Sequence, residues 1–274
     1  MSSAIEEADF NVFQDILMKT SGLVISPEKT YLLESRLNPV VKRWGMTSLK
    51  ELAGKLKTNP GKDLVMEVME AMTTNETSFF RDIKPYEQLK EVILPTIAER
   101  RSNRKTLRIW SAACSTGQEP YSIAMVLTDM NHLFANWNIE IFASDISNEV
   151  LEQAKNGKYS QFEVQRGLPI QYLVKHFSQD GNFWHIKDHI KNMVTFKFMN
   201  LLEPFTNTGK FDIVFCRNVL IYFNESTKTT VLNKIADVLE DDGMLLLGGA
   251  ETVLGLSSRF IPDPERRGLY IKSL

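Results

Sequence analysis

The 274-residue chain has little chemistry of the usual catalytic kinds: two cysteines, Cys114 and Cys216, and four histidines, His132, His176, His185 and His189. The cysteines lie far apart in sequence, which points to free thiols in a reducing compartment. His185 and His189 are four apart, but their segment reads as strand and loop rather than helix, so no metal site is expected. No run of about 18 apolar residues occurs, so no membrane-spanning helix and no membrane insertion are expected. The opening MSSAIEEADF has neither a basic n-region nor an apolar core, so no signal peptide is expected and the cytoplasm is the expected location. Net charge is −2, so no global basic field attracts nucleic acid, and no nucleic-acid partner is expected. Neither the P-loop lysine motif nor G-x-G-x-x-G is present. The hydrophobic share, 43%, is that of an ordinary globular protein.

What is there falls into two textures. Residues 1–80 read as helices. NVFQDILMKTSG places Val12, Phe13, Ile16 and Leu17 at helical spacing before Gly22. SPEKTYLLESRLNPVVKRWG opens on Ser26-Pro27 and closes on Gly45, with Asn38-Pro39 expected to kink or split it. SLKELAGKLKTN and DLVMEVMEAMTTN complete the set. Residues 81–274 alternate strand-length runs (LRIWSA, IEIFASD, VTFKFMN, FDIVFCRN, GMLLLGGAE) with helical stretches (EPYSIAMVLTDM, SNEVLEQAKNG, KTTVLNKIADVLEDD), the signature of a parallel α/β sheet. GLYIKSL is expected to add an edge strand. At about 161–198 the alternation breaks, and Gln179-Asp180-Gly181-Asn182 reads as a hairpin turn, so a small inserted β subdomain is expected there.

The loop between the first run and its helix, SAACSTGQEP, raises the functional question. Ligands of open parallel sheets bind beyond the carboxyl ends of the strands. Ala112, Ala113, Ser115 and Gly117 permit close backbone approach. A pyrophosphate would favour the helix N-terminus, but Glu119 opposes it, and no Lys or Arg is expected to offset the acid. Glu119 thus either meets an ammonium or hydroxyl ligand or caps the helix. Asp145, at the end of IEIFASD, either accepts the protons of a ribose diol or caps the helix that starts near Ser147. A ribose and an amino-acid ammonium without phosphate describe S-adenosylmethionine, with NAD as the competitor lacking its glycine fingerprint. At the later strand ends, Asn200 and Leu201 suit an adenine edge and face, and Arg217, Asn218 and Tyr222 converge on the same crevice; strand-end packing is the alternative for each.

MTTNETSFFRD, residues 72–82, is dense in hydroxyls and amides, with Phe79 and Phe80 as anchors and Arg81 suited to a two-pronged carboxylate contact. TNETSFFRD, SAACSTGQEPYSIAM, ASDIS, NLL and FCRNVLIYF, in this order over nearly the whole chain, resemble the CheR family of chemotaxis-receptor glutamate O-methyltransferases. The resemblance implies an all-α domain before a Rossmann-like S-adenosylmethionine-dependent methyltransferase sheet with an inserted antiparallel β subdomain. It implies methylation of glutamate carboxylates on the cytoplasmic helices of chemoreceptors, with S-adenosylhomocysteine as the product. By position, Asn75, Thr77, Arg81, Glu119, Asp145, Asn200, Leu201, Arg217 and Asn218 would line the cofactor site, with Arg81 and Tyr222 nearest the transferred methyl. GGAE, residues 248–251, departs from the family's G-H-S-E, so Gly249 and Ala250 supply no imidazole or hydroxyl. A non-catalytic cofactor-sensing scaffold is the rival reading.

A glutamate nucleophile, ionised at neutral pH with a free pKa of about 4.3, requires no general base. From Glu28 to Lys57 there are seven Lys/Arg against three Glu. Lys29, Arg36 and Arg43, seven apart, share one helix face, beside an apolar stripe of Leu33, Leu37, Val40 and Trp44. The stripe is expected to bury the helix and the basic row to face outward, either as a docking surface for the acidic receptor helices or as a solvated face with no partner. The compact SQDGNFWHIKD loop suggests a member that does not depend on gripping a receptor tail.

Overall fold

A computed structural model describes residues 5–58 and 60–273. The chain divides into two units: residues through Thr74 together with Tyr222–Thr227, and Asn75–Ile221 together with Lys228 onward.

The smaller unit is helical: α1 (Glu7–Ser21), α2 (Thr30–Arg43), α3 (Leu49–Thr58) and α4 (Lys62–Met72), with a 3-10 turn at Pro27–Lys29 before α2. Apolar side chains at helical spacing, Phe13 and Leu17 on α1, Leu33, Leu37 and Val40 on α2, Leu52 on α3, and Leu64 and Val68 on α4, are withdrawn completely from solvent and form its core. Gly22 ends α1 in the left-handed conformation, its N–H donating to the Met18 carbonyl. The expected break at Pro39 does not occur: α2 runs through it. Proline deletes one backbone donor, and the buried stripe on either side of it keeps the helix in place.

The basic row on α2 also departs from expectation. Only Lys29 and Arg43 are exposed. Arg36 donates to the Met72 and Thr73 carbonyls at 2.8 and 2.9 Å and to Thr74 Oγ1 at 3.1 Å. It therefore caps the C-terminus of α4, the negative end of that helix's dipole. Arg43 pairs with Glu67, which also accepts from Trp44 Nε1 at 2.6 Å. The heptad spacing put these residues on one face; of the three, Arg36 and Arg43 reach α4 or its C-terminus, and Lys29 stays exposed.

The larger unit opens with a helix that runs as α5 (Lys84–Gln88), widens to a π turn over Leu89–Ile93, and resumes as α6 (Leu94–Arg100). Five parallel strands follow: β1 (Thr106–Ala112), β2 (Asn138–Asp145), β6 (Val194–Phe198), β7 (Phe211–Cys216) and β8 (Leu239–Leu247). The sheet order is β6-β2-β1-β7-β8-β10-β9, with β9 (Phe260–Pro262) and β10 (Leu269–Lys272) antiparallel. GLYIKSL is thus a strand, β10, but β9 takes the outer edge. Every residue of β7 is buried, as in a central parallel strand, and its one acid, Asp212, accepts from Arg101, Arg104 and the Arg108 N–H. The major helices of this unit are α7 (Gln118–Asp129), α8 (Asn148–Asn156) and α12 (Glu225–Val238), the last beginning among the residues grouped with the helical unit. LEDD, expected to end α12, instead begins β8. Its acids are held by cations from elsewhere, Asp241 by Lys272 at 2.9 Å and Asp242 by Arg101.

The insert is a three-stranded antiparallel sheet, β3-β5-β4, from β3 (Lys158–Ser160), β4 (Phe177–Asp180) and β5 (Phe183–Ile186). It starts three residues before the expected boundary, and Val194–Phe198 belongs to the main sheet. Asp180 pairs with Phe183 across the expected two-residue turn, where Gly181 has a φ of 56°. Three short helices, α9 (Gln161–Gln165), α10 (Ile170–His176) and α11 (Asp188–Lys191), complete it where only strand and loop were expected. Phe79 meets Tyr159 and Phe177 edge-on at centroid distances of 4.9 and 5.5 Å, and Phe80 stacks on Tyr172 at 4.9 Å. The two phenylalanines thus pin TNETSFFRD to the insert. Gly167 makes the approach feasible: with a φ of 87°, a Cβ there would lie 2.2 Å from the Phe79 carbonyl oxygen.

Among the described residues no helix is long and apolar enough to cross a membrane, and no group of three or more His, Cys, Asp or Glu side chains is placed to hold a metal ion.

Candidate functional site

Register puts the candidate residues of the larger unit on one edge. Ala112 pairs with both Ser144 and Cys216, Asp145 with Phe198, and Cys216 with Leu247. The strands therefore end level, and the loops beginning at Ala113, Ile146, Met199, Arg217 and Gly248 line the carboxyl edge. The strand order reverses between β1 and β7, the crevice where open sheets bind ligands.

The centre of this edge is a buried ion pair. Arg217, 5% exposed, donates through Nη1 to Glu119 Oε2 at 2.9 Å and through Nη2 to Asp82 Oδ2 at 2.7 Å and the Arg81 carbonyl at 2.9 Å. Ser111 Oγ donates to the other Glu119 oxygen at 2.8 Å. The expectation that no cation offsets Glu119 is thereby corrected: its partner comes from 98 residues away, because β7 lies beside β1. Helix capping is not the role of Glu119 either: α7 has no side-chain cap bond, and the carboxylate accepts from Ser111 and Arg217. Burial pushes the Glu119 carboxyl above its ordinary range, with Arg217 pulling it back. Burial works against the Arg217 cation, but Glu119, Tyr86 and Asp82 together hold it charged. Arg217 Nε is buried without a hydrogen bond, and its guanidinium lies 5.8 Å from the Tyr86 ring centre.

Asp145 joins two loops. Its carboxylate accepts from the Ser115 N–H at 2.8 Å and from the Ser147 N–H at 3.1 Å. Ser147 is itself the N-cap of α8. The capping alternative therefore holds in a modified form, with Asp145 orienting the capping residue. Ser115 Oγ in turn donates to the Asn75 carbonyl at 2.8 Å, tying TNETSFFRD to the loop. Thr77 is half-buried, and Arg81 donates to the Glu76 carbonyl at 2.8 Å. Leu201 is buried; Asn200 Oδ1 accepts from the Leu202 N–H at 3.0 Å, and Lys234 reaches the carbonyls of Leu201, Leu202 and Glu203. Tyr222 groups with the helical unit, where its carbonyl accepts from the Val24 N–H at 3.0 Å.

Six non-glycine residues around this edge adopt positive φ: Phe80, Asp82, Ile83, Ala113, Ser115 and Asn218. Each costs about 1 kcal/mol or more, and such strain persists where surrounding contacts over-determine it. Three of the six are held by contacts of this kind: Asp82 to Arg217, Ser115 to Asp145 and Asn75, and Asn218 through its N–H to Glu251 at 2.8 Å. Sequence reasoning did not single out Glu251, Ser111 or Asp82. Cys114 and Cys216 are buried free thiols whose pKa burial raises well above the ordinary value, which removes them as nucleophiles.

The arrangement offers carboxylates (Asp145, Glu119) to hydroxyl or ammonium donors, a buried guanidinium edge (Arg217) to an acceptor, and apolar cover (Leu201). Ribose diol, ammonium, carboxylate and adenine face are the groups of S-adenosylmethionine, and this donor set fits them. The family model described as CheR methyltransferase, SAM binding domain, matches residues 75–268, and that of the CheR methyltransferase all-alpha domain matches residues 8–73. The chain is 41% identical over 266 residues to chemotaxis protein methyltransferase 1 of Pseudomonas aeruginosa, covering 95% of each. It is 40% identical over 256 residues to chemotaxis protein methyltransferase Cher2 of Pseudomonas putida, covering 92% and 93%. With the chemotaxis protein methyltransferase of Escherichia coli it shares 33% over 262 residues, covering 94% and 88%. Matched along both of its units, the chain belongs to the CheR methyltransferase family.

Proposed function

We propose that this protein methylates glutamate side chains on the cytoplasmic helices of chemoreceptors, acting in the cytoplasm and forming glutamate methyl esters. The observation that carries this reading is the match of both units to proteins named as chemotaxis methyltransferases; the carboxylates and guanidinium at the sheet edge support it. When bound, S-adenosylmethionine supplies an electrophilic methyl group on a sulfonium.

The residues proposed to hold it are Asn75, Thr77, Arg81, Glu119, Asp145, Asn200, Leu201, Arg217 and Asn218. Asp145, kept rigid by two backbone donors, suits the ribose hydroxyls. Glu119 and Arg217 form a nearly neutral pair whose outer edges suit the ammonium and carboxylate of an amino acid. A carboxylate nucleophile arrives ionised, so the chain needs no base, in keeping with four histidines that lie outside the hydrogen-bonded network around Glu119 and Asp145. The work left to the protein is alignment and partial exclusion of water. Arg81, with one guanidinium nitrogen on the Glu76 carbonyl, is proposed to orient a carboxylate with the remaining ones.

Docking of an acidic receptor helix on the helical unit is proposed through Lys29 and Arg43. Arg36 is a poor probe of docking because its loss would uncap α4. Incubation with methyl-labelled S-adenosylmethionine and a receptor cytoplasmic fragment should give label that alkali releases as methanol, the behaviour of a carboxyl ester. Alkali-stable label would overturn the glutamate assignment. Cofactor binding without any transfer would favour the scaffold reading.

A further inference from the structure

Glu251 lies beyond the end of β8, in the stretch where Gly249 and Ala250 are exposed and carry no functional group. Its carboxylate accepts four backbone N–H groups. Oε1 takes those of Val219 at 2.9 Å and Leu220 at 2.8 Å, and Oε2 takes those of Asn218 at 2.8 Å and Gly248 at 2.7 Å. Three of the donors are consecutive and begin at Asn218, whose φ is 58°. Successive N–H groups turned inward by a left-handed residue form an anion-binding concavity. Here the anion is a side chain of the same protein.

The neighbouring glycine is part of the device. A Cβ on Gly248 would lie 2.7 Å from Glu251 Oε2 and 2.9 Å from Asn218 Nδ2. The carboxylate and the Asn218 amide therefore both close over a bare backbone. One side chain thus joins the ends of two adjacent strands and fixes the backbone immediately after Arg217. Arg217 carries the contacts to Glu119, Asp82 and the Arg81 carbonyl.

We infer that Glu251 is a positioning residue for the cofactor site: it holds residues 217–220 in the one conformation that brings Arg217 and Asn218 to the ligand. It acts through the loop and need not touch the ligand. Charge-assisted bonds from several N–H groups to one carboxylate are strong enough to hold a left-handed turn that asparagine alone leaves marginal. The inference rests on the proposed assignment of S-adenosylmethionine to this edge.

Glu251→Gln keeps the shape but offers one acceptor oxygen, so two of the four N–H groups would face an NH2 group. Gly248→Ala leaves the charge and displaces the carboxylate. Calorimetric titration with S-adenosylhomocysteine should give Glu251→Gln and Gly248→Ala each at least tenfold weaker binding than wild type, at a temperature where circular dichroism finds both folded. In the transfer assay KM for the cofactor should rise by the same factor, with turnover at saturation within about threefold. A role confined to stability would lower the melting temperature and leave the folded fraction's affinity alone. Affinity within twofold of wild type in folded Glu251→Gln would overturn the inference, whatever its melting temperature. Wild type that binds no S-adenosylhomocysteine would instead sink the cofactor assignment, and this inference with it. Should Glu251→Gln fail to fold, Gly248→Ala decides by the same affinity criterion.

Discussion

Replacing Arg217 with methionine should expose how much the buried pair at the sheet edge stabilises the fold. The side chain is almost completely enclosed, and its removal leaves the Glu119 carboxylate with Ser111 as its remaining partner. Breaking a buried pair by deleting one member typically costs about 3–5 kcal/mol, because a charge is left without compensation. The bond to Asp82 adds little, since that carboxylate is half exposed. For a unit of this size about 1 kcal/mol shifts the melting temperature by about 2–4 °C, so a fall of roughly 10 °C is expected at pH 7.

The loss should depend on pH in a fixed direction. Burial already raises Glu119 above its ordinary range, and without Arg217 it rises further. A carboxyl whose folded pKa exceeds its unfolded value favours the folded state below the unfolded pKa, and that advantage is lost as pH rises through the folded one. The variant should thus lie closer to wild type at pH 5 than at pH 7. Pairing Arg217→Met with Glu119→Gln should recover a good part of the deficit, since no buried charge then remains. Urea denaturation of the four proteins at both pH values makes the measurement. A single variant within 1 kcal/mol of wild type at pH 7, or a double variant no better than the single, would refute the argument.

Three further outcomes follow from the geometry. Asp145→Ala should weaken S-adenosylhomocysteine binding by tenfold or more by calorimetry, since it frees the Ser115 loop as well as removing the carboxylate; unchanged affinity would remove Asp145 from the site. Gly167→Ala should destabilise by about 2–4 kcal/mol in urea denaturation, from left-handed strain and from a Cβ driven against the Phe79 carbonyl; a change below 0.5 kcal/mol would mean the insert can move off TNETSFFRD at little cost. Burial, with Lys175 and His189 beside it, lowers the pKa of His176 to about 4, and its Nδ1 sits 2.9 Å from His189 Nε2. A folded pKa below the unfolded one means stability present above about pH 6.5 and lost as pH falls toward 4, by at most about 3.5 kcal/mol at 1.4 kcal/mol per unit. His176→Gln should flatten the stability profile between pH 6.5 and 5 relative to wild type.

The main strands were legible because a parallel strand covered on both faces reads as a short, mostly apolar run, and FDIVFC and LRIWSA, each with a single charged residue, read that way. The short elements were not. Helices of five and seven residues, such as QFEVQ and IQYLVKH, are too brief to display a 3.6-residue period, and Phe162 and Val164 alternate as a strand would. LEDD carries a helix-like composition but takes its structure from Arg101 and Lys272, which the local sequence cannot name.

The candidate site divides the same way. Asp145 could be picked out because a carboxylate at a strand end before a helix has two known uses, and the fold employs it at the junction of loop and cap. Glu119 could be picked out as an anomaly, an acid in a loop of small residues, but not understood. Its meaning depends on Arg217, and that depends on β7 lying next to β1, a choice of strand order that no local pattern encodes. Glu251 was hidden for a third reason. All four of its partners are backbone N–H groups, which every sequence possesses, so nothing in the residue types marks them. Side chains that act on ligands leave a trace in composition. Side chains that act on the backbone leave one only in the conformations they enforce, here a left-handed Asn218 and a glycine at 248 with no room for a methyl group.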